Sequence, residues 1–524
     1  MTIDQQSATG GGSDRLDAGV LKVAGVVVLG AIMSILDITV VNVALPTFQT
    51  DLNVENYSTV AWTVTAYTLA LATVIPLSGW AADRFGTKRL YMTALALFTA
   101  GSVLCAAAWN VESLIAFRVV QGLGGGMLMP VGMTIMTRAA GPERMGRLMA
   151  VLGIPMLLGP IFGPILGGWL IDIASWHWIF LINLPIGLGA IVYAALVLPR
   201  DDVQPSESFD LVGMLLMSPG LALFLYGVSS IPEEGTMAAP RVWATMLVGA
   251  LLIVGFVLWS FKPEHPLLDL RLFANRNLTV SALTMFLFAA AFFGGLLLVP
   301  TYFQQVRGES PLSAGWLVAP QGLGAMLTMP IAGTLVDRVP VGRIVPVGLA
   351  LIVGAMFGLT QIEADTSYAL IIGLLFVLGL GMGATMMPLM TSALRTLRGP
   401  QVARGSTMLN ILQQVASSAG VAIISVVFTN AQKDSAAVMA AQGAAEAQRQ
   451  GVEPTPQVLQ IIASFGDRFD QVVREDLAGA FATSFWVAFA LCAVTFAVSL
   501  LLPRRREVTH LGDDEQGAAP VVLH

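Results

Sequence analysis

The sequence predicts an all-α polytopic membrane protein. Three observations predict it. The 524 residues are 56% hydrophobic and only 11% charged, where soluble domains carry roughly 25% charged residues. Fourteen apolar stretches are each long enough to cross a bilayer. The basic residues sort to one side of those stretches.

In chain order the stretches cover about 21–45, 60–81, 90–108, 112–133, 147–172, 178–198, 210–230, 241–261, 278–303, 312–336, 343–361, 368–391, 407–430 and 478–502. With both termini on the cytoplasmic side, inner tails and loops hold 20 of the 27 Lys and Arg. The outer loops hold Arg241, Arg307, Lys433, Arg449, Arg468 and Arg474, and Arg118 lies within a span. Residues 1–19 are polar and Gly/Ser-rich, without a short apolar core, and read as a disordered tail rather than a signal peptide. Residues 506–524 read as a second cytoplasmic tail.

An internal repeat divides the chain. Pro76, Gly79, Asp83 and Arg84 recur as Pro330, Gly333, Asp337 and Arg338, at a constant offset of 254 residues. Related halves are frequent in secondary transporters. The offset is too long for six spans alone. The expected domains are a six-helix half at 20–200, two inserted helices at 201–265, and a second six-helix half at 266–505. A long outer loop, 431–477, interrupts the second half. Its amphipathic end carries Val458, Ile461, Ile462, Phe465, Phe469 and Val472. It reads as a helical cap on the outer membrane face, with a docking surface for an outer partner as the sharper alternative.

Several spans carry residues that a bilayer does not tolerate without a reason. Asp37 lies some 16 residues into the first span. A charge there costs about 2.5–3.5 kcal/mol on insertion scales, so it should face a cavity or a partner. Arg118 in the fourth span is under the same constraint, and each could neutralise the other. A merely structural role for either is the alternative. The loop after the second span carries Gly79, Asp83, Arg84, Gly86, Lys88 and Arg89. Asp83 suits backbone donors at a helix N-terminus, and the loop reads as a latch between halves. Asp337 and Arg338 form a thinner second copy, with Pro340 replacing the glycine.

The fifth span holds Gly159, Pro160, Gly163, Pro164, Gly167 and Gly168. Proline removes a donor and clashes with the preceding turn. Glycine lets a neighbouring backbone come close. The freed carbonyls must be satisfied within the protein, so the span reads as a bent, close-packed hinge. Softer candidates for a substrate cavity are Asn42, Tyr67, Gln121, Gln304, Gln305, Gln321, Asn410 and Gln414, which equally could bond helix to helix. The 24 methionines suit an adaptable apolar pocket or ordinary packing. Cys105 and Cys492 fall in apolar spans and read as packing residues. No nucleotide-binding loop, metal-ligand cluster or nucleophile–base pair stands out, which argues against ATP-driven pumping, a metal, a cofactor, an enzyme or a nucleic-acid partner.

Taken together these residues resemble the fourteen-span drug:proton antiporters of the major facilitator superfamily, the EmrB/QacA-type branch. The likeness covers about 20–505. It rests on Leu36 to Pro46, the Gly79–Arg89 loop, Arg118 with Gln121 and Gly122, and the Gly159–Gly168 stretch, which matches the antiporter motif G-x-x-x-G-P-x-x-G-G. Trp176 to Gly187 and Pro266 to Phe273 add to it. His177 stands where relatives usually have Arg, and Ala81 where they usually have Leu. The resemblance implies the major facilitator fold and proton-coupled export by alternating access across the plasma membrane, with Asp37 and Arg118 in coupling. The expected cargo is an amphiphilic, often cationic drug. The alternatives are a native lipid or metabolite as cargo, or a non-transporting receptor or scaffold. One intramembrane carboxylate suggests about one proton per cycle.

Overall fold

A computed structural model describes residues 18–504 apart from 55–56, 141–150, 152, 154–158, 160–161, 164, 172, 201–208, 235–237, 297, 396, 398–400 and 450–451. The described chain is helical. The helices are α1 (Ala18–Asp51), α2 (Tyr57–Phe85), α3 (Thr87–Ala106), α4 (Val111–Ala140), α5 (His177–Leu181), α6 (Asn183–Val197), α7 (Leu211–Glu234), α8 (Pro240–Ser260) and α9 (Arg276–Leu296). They continue as α10 (Leu298–Gln305), α11 (Pro311–Val336), α12 (Val341–Leu359), α13 (Tyr368–Gly383), α14 (Met386–Arg395), α15 (Val402–Lys433), α16 (Ala436–Arg449), α17 (Pro456–Phe465) and α18 (Phe469–Ser499). Between α4 and α5, residues 165–171 are helical as well.

Among the described residues, twelve helical stretches are long and apolar enough to cross a membrane. The chain is a multi-pass membrane protein. The two remaining stretches of the fourteen differ in kind. The one at 147–172 lies partly outside the described residues. The one at 312–336 is helical, as α11, but Pro320, Gln321 and Pro330 dilute its hydropathy.

Most of these helices are apolar on every side, as expected of segments flanked by other helices and lipid rather than water. Prolines sit inside α2, α4, α11 and α12, where packed neighbours can re-satisfy the freed carbonyls. Breaks come at glycines with left-handed backbone. Gly86, at φ 87°, separates α2 from α3. Gly466, at φ 55°, splits the amphipathic stretch of the outer loop, so that α17 ends before α18 begins.

Helices α1 to α6 pack on one another, as do α9 to α15 with α18. Helices α7 and α8 pair with each other, and α7 leans on α2 and α15. Asp210 pins this pair down. Its carboxylate accepts from Gly213 N (2.8 Å), Trp259 Nε1 (2.9 Å) and Leu267 N (3.1 Å). Contact between the two helix groups runs through α15, which touches α2 and α4, and through the fifth span, where a Cβ at Gly153 would press on Met329 of α11 and Met387 of α14. The polar contacts lie toward the end of the bundle that carries Gly86. Ser78 Oγ is 3.1 Å from Thr407 Oγ1, and Ser406 Oγ donates to Pro130 O at 3.1 Å.

The internal repeat is visible as matched helix crossings. A Cβ added at Gly122 would lie 2.6 Å from Tyr67 O, and one at Gly379 would clash with Gln321 O. Likewise Gly124 presses on Phe98 N and Gly381 on Ile352 N. Tyr67 and Gln321, and Phe98 and Ile352, are 254 residues apart, whereas the α4 positions and their α13 counterparts are 257 apart.

Candidate functional site: a buried ion pair and two end clamps

Helix α1 brings Asp37 into the interior of the first helix group, and α4 brings Arg118 to meet it. Arg118 Nη1 donates to Asp37 Oδ2 at 2.5 Å, with both side chains fully buried. Gln121, one turn along α4, closes the cluster. Its Nε2 donates to Asp37 Oδ1 (2.7 Å), and its Oε1 accepts from Arg118 Nη1 (2.7 Å). Arg118 Nε donates to Thr63 O at 3.0 Å. The guanidinium lies 4.1 Å from the Tyr67 ring centre, close enough for cation–π attraction. Tyr67 Oη in turn meets Ser34 Oγ at 3.2 Å. Arg118 Nη2 is buried and has no hydrogen-bond partner among the described residues.

The cluster continues into α3 and α6. Gln121 Nε2 also reaches Ser102 Oγ (3.2 Å), which accepts from Asn183 Nδ2 (3.0 Å) and donates to Phe180 O (3.0 Å). Cys105 Sγ lies 3.5 Å from Gln121 Oε1. A buried pair is stable only with such support, because removing one partner strands the other charge.

The glycine-rich span is pressed against α1 on both sides of Asp37. Thr39 Oγ1 donates to Gly159 O at 3.2 Å. A Cβ at Gly159 would clash with Ile35, one at Gly163 with Thr39, and one at Gly167 would lie 3.1 Å from Val40 Cγ1. Gly168 differs from the close-packed expectation, since among the described residues nothing lies within 4 Å of a Cβ there. Pro160 and Pro164 lie outside the described residues.

At the end of the bundle that carries Gly86, Asp83 Oδ1 meets Arg138 Nη2 at 3.2 Å, both partly exposed. Gly79 lets α2 approach α15 at Thr407, Ala403 and Arg404. Lys88 is not a free surface anchor: its Nζ donates to Ala195 O (2.8 Å) and Leu198 O (2.6 Å), capping the end of α6. Arg84 and Arg89 are exposed. In the second copy Asp337 Oδ1 meets Arg395 Nη2 at 2.5 Å, nearly buried, and Arg395 Nη1 also donates to Val336 O (3.0 Å). Arg338 is exposed.

The softer candidates scatter. Asn42, Gln304 and Gln305 are exposed and Gln414 half-buried. Asn410 Nδ2 donates to Ser406 O (2.8 Å) and lies 3.5 Å from Met133 Sδ, across the two helix groups. Gln321 is buried among α9, α12, α13 and α18 beside a small cavity.

Asn183, within the Trp176 to Gly187 stretch, was open to reading as an amide that lines a cavity or bonds helix to helix, but sequence reasoning missed Thr63, Ser102, Arg138 and Arg395. A signal existed for the last two. They are repeat partners 257 residues apart, and the drift from 254 hides them. Ser102 and Thr63 carried none, being common hydroxyls in apolar spans.

A helical bundle with a sealed intramembrane ion pair and matched acid–base clamps at one end defines a class: a two-group membrane transporter. Residues 27–421, well over half the chain, match the family described as Major Facilitator Superfamily. A multidrug resistance protein B homolog of Mycobacterium tuberculosis (strain ATCC 25618 / H37Rv) is 49% identical over 498 residues, or 94% of this chain and 92% of the relative. The multidrug export protein EmrB of Haemophilus influenzae (strain ATCC 51907 / DSM 11121 / KW20 / Rd) is 31% identical over 405 residues, or 77% and 79% of the two chains. Among solved structures, the human organic anion transporter MFSD10 aligns with a TM-score of 0.59 at 16% identity, over 92% of this chain and 99% of that one. That likeness speaks to fold alone. The chain belongs to the Major Facilitator Superfamily, a family of transporters rather than enzymes.

Proposed function

We propose that this protein exports amphiphilic drugs from the cell in exchange for protons. It works by alternating access in the plasma membrane, with both termini in the cytoplasm. The Asp37–Arg118–Gln121 cluster carries this reading. A carboxylate in a bilayer is costly even when paired, so an intramembrane one reads as functional by default. The relatives named for multidrug export supply the cargo class.

In the cycle, a proton from outside neutralises Asp37, loosens its hold on Arg118 and frees α1 to shift against the glycines at 159, 163 and 167. Deprotonation toward the cytoplasm restores the pair. The Gly79 approach to α15 at Arg404 acts as the cytoplasmic latch between the halves, made when the cavity faces outward, while the Asp83–Arg138 pair, internal to the first half, holds Asp83 beside it. Residues 20–200 and 266–505 move as the two halves, with α7 and α8 inserted between them in sequence. A membrane potential of about 100 mV supplies about 2.3 kcal/mol per charge moved. For one proton against a neutral substrate that supports a gradient of roughly fiftyfold. One monovalent cation exchanged for one proton moves no net charge, and the pH difference alone then drives export.

The test is substrate flux in liposomes holding only this protein, under an imposed pH gradient with the potential clamped. Wild type should concentrate a cationic dye such as ethidium, and Asp37→Asn should only equilibrate it. Uphill transport by Asp37→Asn would refute proton coupling through this residue. Flux of a lipid or metabolite but of no drug would reassign the cargo.

A further inference from the structure

The second helix group carries a cavity that the transport cycle does not use. It lies at the end of the bundle away from Gly86, between residues 360–366 and the first turns of α18, and measures about 790 Å³. Its walls are held in place. Arg307 Nη2 donates to Thr366 O at 2.8 Å, and its Nη1 donates to Ala364 O. Tyr302 Oη donates to Glu363 O at 2.6 Å, and Glu363 N donates to Thr366 Oγ1 at 2.7 Å. The mouth is therefore formed before anything enters it.

The mouth carries both signs of charge. Glu363, Asp365 and Glu475 line it, and so does Arg474. Among the described residues, none of these side chains makes an ion pair. Arg307 also borders the cavity, but its guanidinium is engaged by the loop carbonyls.

Below the mouth the cavity continues as a groove. Glu475, Gly479, Ala482, Trp486 and Phe489 follow at spacings of four, three, four and three along α18, so they share one face. A Cβ at Gly479 would meet none of the described residues within 4 Å. Further along, the rings of Trp486 and Phe489 meet Phe357 of α12 at 5.9 and 5.7 Å, and Phe357 and Trp486 are exposed. The face changes from charged to small to aromatic. Glu475 and Trp486 are eleven residues apart, which is about 16 Å of helix. The hydrocarbon of one leaflet is about 15 Å deep. A molecule that suits both ends is an amphiphile one leaflet long.

We infer that this groove holds a phospholipid of that leaflet, the outer one in the proposed topology, whose head group carries both a phosphate and a primary ammonium. Arg474 takes the phosphate, and the three carboxylates take the ammonium. The glycerol passes the notch at Gly479 and Ala482, and an acyl chain lies on Trp486 and Phe357. A head group with phosphate alone would face the carboxylates, and one with a cation alone would leave Arg474 unused. The inference rests on the membrane-spanning fold and is independent of whether Asp37 carries a proton.

The probe is phosphatidylethanolamine against phosphatidylglycerol with the same acyl chains. Both are offered in equal amounts to the delipidated full-length protein, and bound lipids are counted by native mass spectrometry. The first lipid bound should be phosphatidylethanolamine by about two- to fivefold, the worth of one exposed ion pair. Glu475→Gln combined with Asp365→Asn should abolish that preference, and Arg474→Gln should weaken both lipids. Gly479→Phe should remove the first bound lipid, with Ala482→Phe as the alternative filler if Gly479→Phe does not fold. Water-soluble glycerophosphoethanolamine, which lacks the chains, should not displace the lipid. Equal binding of the two lipids by wild type, a preference unchanged in the double variant, or a first lipid retained in a folded filled variant would overturn the inference. Displacement by glycerophosphoethanolamine would overturn the lipid as occupant and assign the site to a soluble phosphate ester.

Discussion

The two halves of this bundle share a skeleton and differ in what they enclose. At matched crossings the first half holds Asp37, Arg118 and Gln121, and the second holds Leu375, Leu378 and a small cavity. At one end the asymmetry lies in exposure. Asp83–Arg138 is long and partly exposed, whereas Asp337–Arg395 is short and nearly buried. An exposed pair is worth little and is easily broken, and a buried one is costly to break. In the proposed cycle the first half supplies both the charge that changes state and the more easily broken ion pair at that end. The second half keeps its end pair nearly buried.

The sharpest way to break this comparison is to unbalance the ion pair. Arg118→Leu should destabilise the purified protein by roughly 3–5 kcal/mol, because Asp37 is left charged and alone. Adding Asp37→Leu should restore most of the melting temperature while leaving pH-driven transport absent. An Arg118→Leu variant as stable as wild type would mean that water already reaches the pair.

The clamps offer the next contrast. Asp337→Asn should lower stability clearly, since it strands Arg395 among buried groups. Asp83→Asn should leave stability within about 1 kcal/mol and slow substrate exchange more than it weakens binding. Melting curves and exchange rates on the same two preparations decide it. Equal behaviour of the two variants would erase the distinction between clamp and latch.

The glycine-rich span gives a comparison within one helix. Gly163→Leu collides with Thr39 beside Asp37 and should abolish transport, while Gly168→Leu meets no described residue and should be tolerated. Liposome flux with both proteins inserted to equal levels measures this. The smallest effect is expected at Lys88→Met. Loss of one cation from the end of α6 should cost about 0.3–1 kcal/mol, visible as a shift in melting and nowhere in transport.

The helical class was legible because a bilayer leaves few alternatives. So were Asp37 and Arg118, since charge inside an apolar span stands out. Their direct contact was legible only as one option, because depth along a span does not say which way a side chain faces. Gly163 was readable as small, but its partner Thr39 was not, and Gly168 was grouped with it although it faces none of the described residues. Arg138 and Arg395 were hidden at the ends of their spans, where a basic residue also reads as a topology signal. Gln321 was readable as a cavity candidate, but the small hole beside it was not, since a hole depends on how neighbouring side chains fail to fill space.

The central claim is that one half carries the proton. In liposomes holding only the purified protein, a pH dye in the lumen and ethidium fluorescence together count the protons exchanged per ethidium carried. One proton per ethidium is expected for wild type and for Asp337→Asn, and none for Asp37→Asn. Undiminished proton exchange by Asp37→Asn would contradict it.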